Sequence, residues 1–179
     1  MVVSKQLVPR AWARLLQTQD AAALAAAYRR NRIHLEPWEP ARGPSYFTEQ
    51  GQRNEIRRKL RELDLGLAWP LVITDGDEII GTLTLMSIAR GALQSANVGY
   101  WVDQRYVGRG IATASLRWAA ELAQQDLTLH RLQAGTLLHN VASQAVLRRV
   151  GFTEIGVAER YIKIAGRWQD HLLYQLLLE

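Results

Sequence analysis

The chain has 179 residues, nearly half of them apolar, and a formal net charge of +5. That length and apolar content fit one domain with a real core, expected to span residues 1–179, and exclude whole-chain disorder. The absence of cysteine excludes disulfides, thiolate metal sites and cysteine nucleophiles, and no apolar run is long enough for a membrane-spanning helix.

Residues 7–16 mix apolar and polar positions as a first strand would. Asp20 precedes an alanine-rich stretch, residues 21–30, whose composition favours a helix. Residues 36–45 hold Pro37, Pro40, Gly43 and Pro44 and should be irregular. A charged helix is expected over residues 48–64, capped by Thr48. Residues 68–74 and 78–88 read as strands joined by the turn Asp75-Gly76-Asp77. A short apolar strand follows at 97–102, and Ala114, Leu116, Trp118, Ala119, Leu122 and Ala123 give residues 113–125 a helical stripe. A strand is expected at 131–137, a helix at 142–150, and closing strands at 153–165 and 168–178 with a turn near Gly166. Elements that both segregate and alternate in this way imply a mixed sheet.

Between the strand at 97–102 and the helix at 113–125 lies Q-R-Y-V-G-R-G-I-A, residues 104–112. Two glycines two apart let successive backbone N–H groups converge, and the helix start adds roughly half a positive charge. Arg105 and Arg109 contribute further cations. The loop therefore reads as an anion site, with a tight turn that merely needs positive φ as the alternative. It lacks the Lys-Ser or Lys-Thr pair of a Walker loop and the third glycine of the dinucleotide fingerprint. Downstream, N-V-A-S-Q-A-V-L-R-R-V-G-F, residues 140–152, places a capping Asn140 ahead of the apolar face Ala142, Ala145, Val146 and Val150, and Gly151 at the helix end.

The form R-x-x-G-x-G at Arg105, Gly108 and Gly110, followed by the Asn140 segment, resembles the GNAT acetyltransferases. The segments N-R-I-H-L-E-P-W-E-P-A-R (31–42), N-V-G-Y-W-V-D-Q (97–104) and Y-I-K-I-A-G-R-W-Q-D-H-L-L-Y-Q-L (161–176) are similar to the Rim ribosomal-protein branch, closest to its RimJ type. The resemblance implies an α/β fold: a central mixed, mostly antiparallel sheet split into a V and flanked by helices. It implies acetyl-CoA as co-substrate and no metal. The cofactor residues it points to are Arg105, Val107, Gly108, Arg109, Gly110, Ile111 and Ala112 at the pyrophosphate, Asn140 at the pantetheine arm, Ser143 near the thiol, and the backbone of Tyr100, Trp101 and Val102 on the central strand.

Acetyl transfer asks for an uncharged amine, a stabilised oxyanion and a leaving thiolate. An α-amine titrates near 7.7–8.0 against about 10.4 for lysine, a difference of about 3.4 kcal/mol in deprotonation, so an N-terminus needs only a weak base. Glu39 is the favoured base, with Glu159 and His34 behind it, and each has a plain structural alternative as a solvated, paired or loop-orienting group. The resemblance puts His34, Trp38, Glu39 and Tyr100 on the acceptor side. Backbone N–H groups of Tyr100, Trp101 and Val102 would hold the oxyanion. Many GNAT enzymes carry a tyrosine seven residues after the motif asparagine; Leu147 stands there, which leaves Ser143 as the polar group near sulfur, or as a serine bonding its own helix backbone. His130, His139 and His171 lack metal-ligand spacing.

The expected function is acetylation of a protein N-terminal amine, an alanine and possibly on a small-subunit ribosomal protein, in the cytoplasm. The opening residues support that compartment, since Pro9 and Arg10 interrupt the apolar run a signal peptide would need. No direct nucleic-acid or membrane binding is expected, and monomer and homodimer stay equally open. Two other readings compete: a GNAT enzyme for a small amine or protein lysine, and a non-catalytic acyl-CoA- or ribosome-binding module.

Overall fold

The computed structural model describes residues 4–178; Met1, Val2, Val3 and Glu179, part of the expected domain, lie outside the described residues. The first expected strand is two: β1 (Ser4–Val8) and β2 (Ala11–Leu15), an antiparallel hairpin. Pro9 has no N–H for a ladder, and Arg10 turns the chain with φ at 69°, so a single strand cannot run through them. Next come α1 (Ala21–Arg30), a single turn α2 (Arg32–Leu35) and the irregular segment the prolines impose. Thr48 caps α3 (Glu49–Asp64), its hydroxyl oxygen accepting from Gly51 N–H at 3.0 Å. The helix keeps Gln52 and Ile56 buried and laces its exposed side with pairs such as Arg58–Glu62.

The strands β3 (Trp69–Asp75), β4 (Glu78–Ala89) and β5 (Ser95–Val102) form an antiparallel meander. After α4 (Ile111–Gln125), β6 (Arg131–Leu137) and α5 (Val141–Val150), the chain closes with the hairpin β7 (Thr153–Ile164) and β8 (Arg167–Leu177). The sheet order is β1-β2-β3-β4-β5-β6-β8-β7. Every neighbouring pair is antiparallel except β5 and β6, which run parallel over only Ser95–Asn97 against Arg131–Gln133. Beyond that point the two strands part, and the sheet opens into a V.

Helices cover both faces, which is why β3 and most of β4 are buried residue after residue rather than on one side only. On one face, Leu116, Trp118, Ala119 and Leu122 of α4 and Leu147 of α5 pack on Leu83, Leu85, Val98 and Leu132. On the other, Leu24 and Tyr28 of α1 and Ile56 of α3 pack on Val72, Ile79 and Trp101. Fully burying each such side chain contributes about 1.5–3 kcal/mol.

Candidate active site

The loop beyond β5 directly follows the strand that borders the opening of the V. Gly108 and Gly110 hold φ of 80° and 77° and nothing lies within 4 Å of where a Cβ would stand, so backbone conformation, not crowding, demands glycine. Val107, Gly108, Arg109 and Gly110 are exposed. Ile111 is buried against Ala11, Ile73 and Ile80 and anchors the start of α4, with Ala112 half-buried beside it. The first helical bond belongs to Ala114 N–H, donated to Gly110 C=O at 2.9 Å, so the N–H groups before it point forward without intrahelical acceptors. Arg109 lies with its guanidinium 4.8 Å from the Tyr106 ring centre and has no carboxylate in ion-pair range among the described residues.

Arg105, expected at the pyrophosphate, is engaged by carboxylates of the protein. Its guanidinium bonds Asp103 at 3.0–3.1 Å and Glu78 at 2.6 Å, and these carboxylates push its pKa up. It clamps the loop instead. Asp103, fully buried, also accepts from Arg30 Nε at 2.7 Å, Asn31 Nδ2 at 2.9 Å and the Arg105 backbone N–H at 2.9 Å. Asn31 Oδ1 in turn accepts from Gln104 N–H at 2.9 Å. Burial alone would raise the Asp103 pKa; the donors from Arg105, Asn31 and Arg30 outweigh it and hold the carboxyl well below the usual range. Sequence reasoning missed this knot, because an aspartate before a turn carries no signal of what lies on a helix 72 residues away.

The gap in the sheet exposes main-chain donors on one parity. Asp103 N–H bonds Ile80 C=O and Gln94 C=O accepts from Arg131 N–H, which fixes which way each residue of β5 faces. By alternation Tyr100 and Val102 direct their N–H groups into the gap, whereas those of Trp101 face β4. Trp101 is therefore corrected as an oxyanion donor; its ring, 8% exposed, packs on the α1 side and its Nε1 donates to the Tyr28 hydroxyl at 3.2 Å.

The Tyr100 side chain leaves the acceptor side expected for it and turns to α5, where its hydroxyl lies 2.9 Å from Ser143 Oγ. Burial pushes the phenol up to about 12, moderated by that bond. Asn140 is a cap, its Oδ1 accepting from Ser143 N–H at 3.1 Å, and this leaves its amide N–H groups without a protein acceptor among the described residues. Cap and ligand donor are thus compatible roles. Leu147 is fully buried in the core, so a phenol at that point of α5 would have to displace packed side chains.

Across the sheet, Glu39 lines a cavity of about 180 Å³ with Tyr28, Leu35, Glu36 and Phe47. Burial raises its carboxyl, opposed by Arg42 and Lys59. Its carbonyl accepts from Ala165 N–H at 3.1 Å, which latches the segment to the β7–β8 turn. Trp38 stacks on His139 at 5.4 Å between ring centres, just ahead of Asn140. His34 is half-buried on α2, does not line this cavity, and its ring makes no hydrogen bond among the described residues. Glu159 is exposed on β7 without an ion pair among the described residues. No three His, Cys, Asp or Glu side chains come together for a metal ion among the described residues, and none of the described helices is long and apolar enough to cross a membrane.

The left-handed glycine turn, the split sheet with unpaired donors and the cavity that holds Glu39 belong to one fold, which comparison with known proteins identifies. Residues 10–153 match the acetyltransferase (GNAT) domain family. The chain belongs to that family and is a GNAT N-acetyltransferase. It is 34% identical over 169 residues to the [ribosomal protein uS5]-alanine N-acetyltransferase of Escherichia coli, covering 91% of this chain and 85% of that protein. The structure of a ribosomal-protein-S5-alanine acetyltransferase from Vibrio fischeri superposes with a TM-score of 0.94 at 32% identity, covering 99% and 98% of the two chains. Mycobacterium smegmatis RimJ, solved in complex with CoA-disulfide, gives a TM-score of 0.89 at 35% identity, covering 93% and 81%. The Rim resemblance and the V-split fold read from the sequence both hold.

Proposed function

We propose that this protein transfers the acetyl group of acetyl-CoA to the N-terminal α-amine of a protein, an alanine terminus first, with a ribosomal protein as the natural acceptor and the cytoplasm as its place. The observation that carries this reading is the gap between β5 and β6, with donors of Tyr100 and Val102 on its edge, Tyr100 bonded to Ser143, and the left-handed glycines Gly108 and Gly110 in the loop that follows β5. The relative from Escherichia coli, named for uS5 alanine, and the Vibrio fischeri structure, named for S5 alanine, support the choice of acceptor.

Residues 107–112 and Asn140 hold the co-substrate, with Arg109 as the loop cation that makes no ion pair among the described residues. Glu39 draws the cationic N-terminus and takes its proton; a carboxyl raised by burial is a better base than a solvated one. The amine nitrogen then bonds the thioester carbon, Tyr100 and Val102 N–H groups receive the oxyanion, and the C–S bond breaks toward Ser143. A phenol pushed up to about 12 lies well above a thiol of about 8.5, so full proton transfer from Tyr100 to the thiolate is strongly uphill. Ser143 therefore stabilises the thiolate by donating a hydrogen bond, with the Tyr100 hydroxyl positioning it across the 2.9 Å contact, and the proton the thiolate finally takes comes from the acceptor nitrogen or water.

The test is thiol release from acetyl-CoA with an alanine-starting peptide. Release should track loss of the free α-amine, and a peptide blocked at its N-terminus but carrying lysine should be inert. Turnover only with the lysine peptide or a small amine would transfer the site to another acceptor, and no turnover would leave a binding module. Glu39→Gln is expected to lower kcat/KM for the peptide about tenfold or more, since even a weak base contributes that much. An unchanged value removes Glu39 from the mechanism.

A further inference from the structure

The cavity that holds Glu39 is rimmed by two cations that make no ion pair among the described residues. Arg32 and Arg42 both line it, both are exposed, and neither has a carboxylate within 4.0 Å among the described residues, unlike Arg30, Arg58 or Arg105. Yet neither is loose. The Arg32 guanidinium lies 4.7 Å from the Phe47 ring centre and that of Arg42 lies 4.6 Å from Tyr46. Both platforms are themselves tied down. Phe47 C=O accepts from Arg29 at 2.9 Å, Tyr46 C=O from the buried Gln52 amide at 2.6 Å, and Tyr46 packs edge-on against Tyr28 at 4.9 Å. Stacking of this kind holds a guanidinium's plane while leaving its in-plane N–H donors available.

The same cavity is therefore acidic at Glu36 and Glu39 and basic at its rim, with the cations held in place. An occupant that satisfies both signs carries an ammonium and, a short distance away, an anion. Successive residues of a peptide lie about 3.8 Å apart at Cα, so an α-amine at Glu39 leaves the second and third side chains near the rim. Lysine or arginine there would meet like charge.

We propose that Arg32 and Arg42 are specificity-determining residues that select N-termini bearing an aspartate or glutamate at the second or third position. This rests on the reading of the cavity as the acceptor site. Because the contact is equally present in ground state and transition state, it acts on the KM for peptide more than on kcat.

The experiment uses the full chain, acetyl-CoA and three peptides alike except for Asp, Asn or Lys after the first alanine. The order in kcat/KM should be Asp above Asn above Lys, with about three- to tenfold between neighbours, and it should shrink as salt rises. Arg42→Gln and Arg32→Gln should each compress the range, Arg42→Glu should favour the Lys peptide, and Arg42→Lys should restore part of the Asp preference. Equal rates for the three peptides with the native enzyme overturn the proposal while leaving α-amine acetylation intact, and need no variant to be read. An order unmoved by both neutralisations overturns it too, as does turnover of free amino acids but of none of the peptides. Failure of every alanine peptide to release thiol overturns the acceptor assignment beneath it as well.

Discussion

Asp103→Ala is expected to destabilise the protein by about 3 kcal/mol, the low end for breaking a buried ion pair, because Arg30 and Arg105 keep 27% and 49% side-chain exposure and can turn to water or Glu78. For a domain of this size that is a fall in Tm of about 6–12 °C. The buried Asn31 amide loses an acceptor at the same time. Since Asp103 also receives the Arg105 backbone N–H at the head of the loop, the KM for acetyl-CoA should rise together with the loss of stability. Asp103→Asn keeps an acceptor without the charge and should lose less. The pH dependence follows from a carboxyl depressed in the folded state. Its stabilisation is complete above the unfolded value of about 3.9 and fades as pH falls below that, so the gap between native and variant should be full at pH 7 and narrow toward pH 3. Thermal melts at both pH values check this. A variant melting within a degree or two of the native protein at pH 7 would show that the knot is not what holds the loop.

Ser143→Ala is expected to reduce kcat by about ten- to thirtyfold, in keeping with the loss of one hydrogen bond to a developing charge, while leaving the KM for acetyl-CoA nearly unmoved. Tyr100→Phe should produce a smaller fall, since it acts through Ser143 across the 2.9 Å contact. The two together should be little worse than Ser143→Ala alone, because residues that act as a unit are not additive. With the phenol pushed up to about 12, no falling limb from Tyr100 should enter the rate profile up to pH 10. Steady-state kinetics of the three variants decide the matter. Full additivity would separate the two hydroxyls, and an alkaline limb that disappears in Tyr100→Phe would restore the phenol as a true acid.

Much of the site was legible because its signals are local. Gly108 and Gly110 announce positive φ by having no side chain, Asn140 and Gly151 mark the two ends of α5, and Thr48 marks the start of α3. Pro9 equally announces a break, yet the mix of apolar and polar residues on either side of it reads as one strand, which the turn at Arg10 divides. Arg105 gives a second case. A cation beside an anion-binding loop looks available until the chain is folded, when Asp103 and Glu78 arrive within 3.1 Å of it.

Hydropathy period, capping residues and glycine positions by themselves marked most of the helices and strands and the tight turn at Gly108 and Gly110, since each depends on residues within a few positions of one another, while the family came from the resemblance of the R-x-x-G-x-G and Asn140 segments. Only the tertiary structure decided the parity that turns Tyr100 and Val102, but not Trp101, toward the gap, and the meeting of Tyr100 with Ser143 across 43 positions. It alone decided the burial of Asp103 among donors from α1. Those facts depend on which strand edges stay unpaired and which faces are covered, quantities set by the packing of distant segments and carried by no single stretch of the chain.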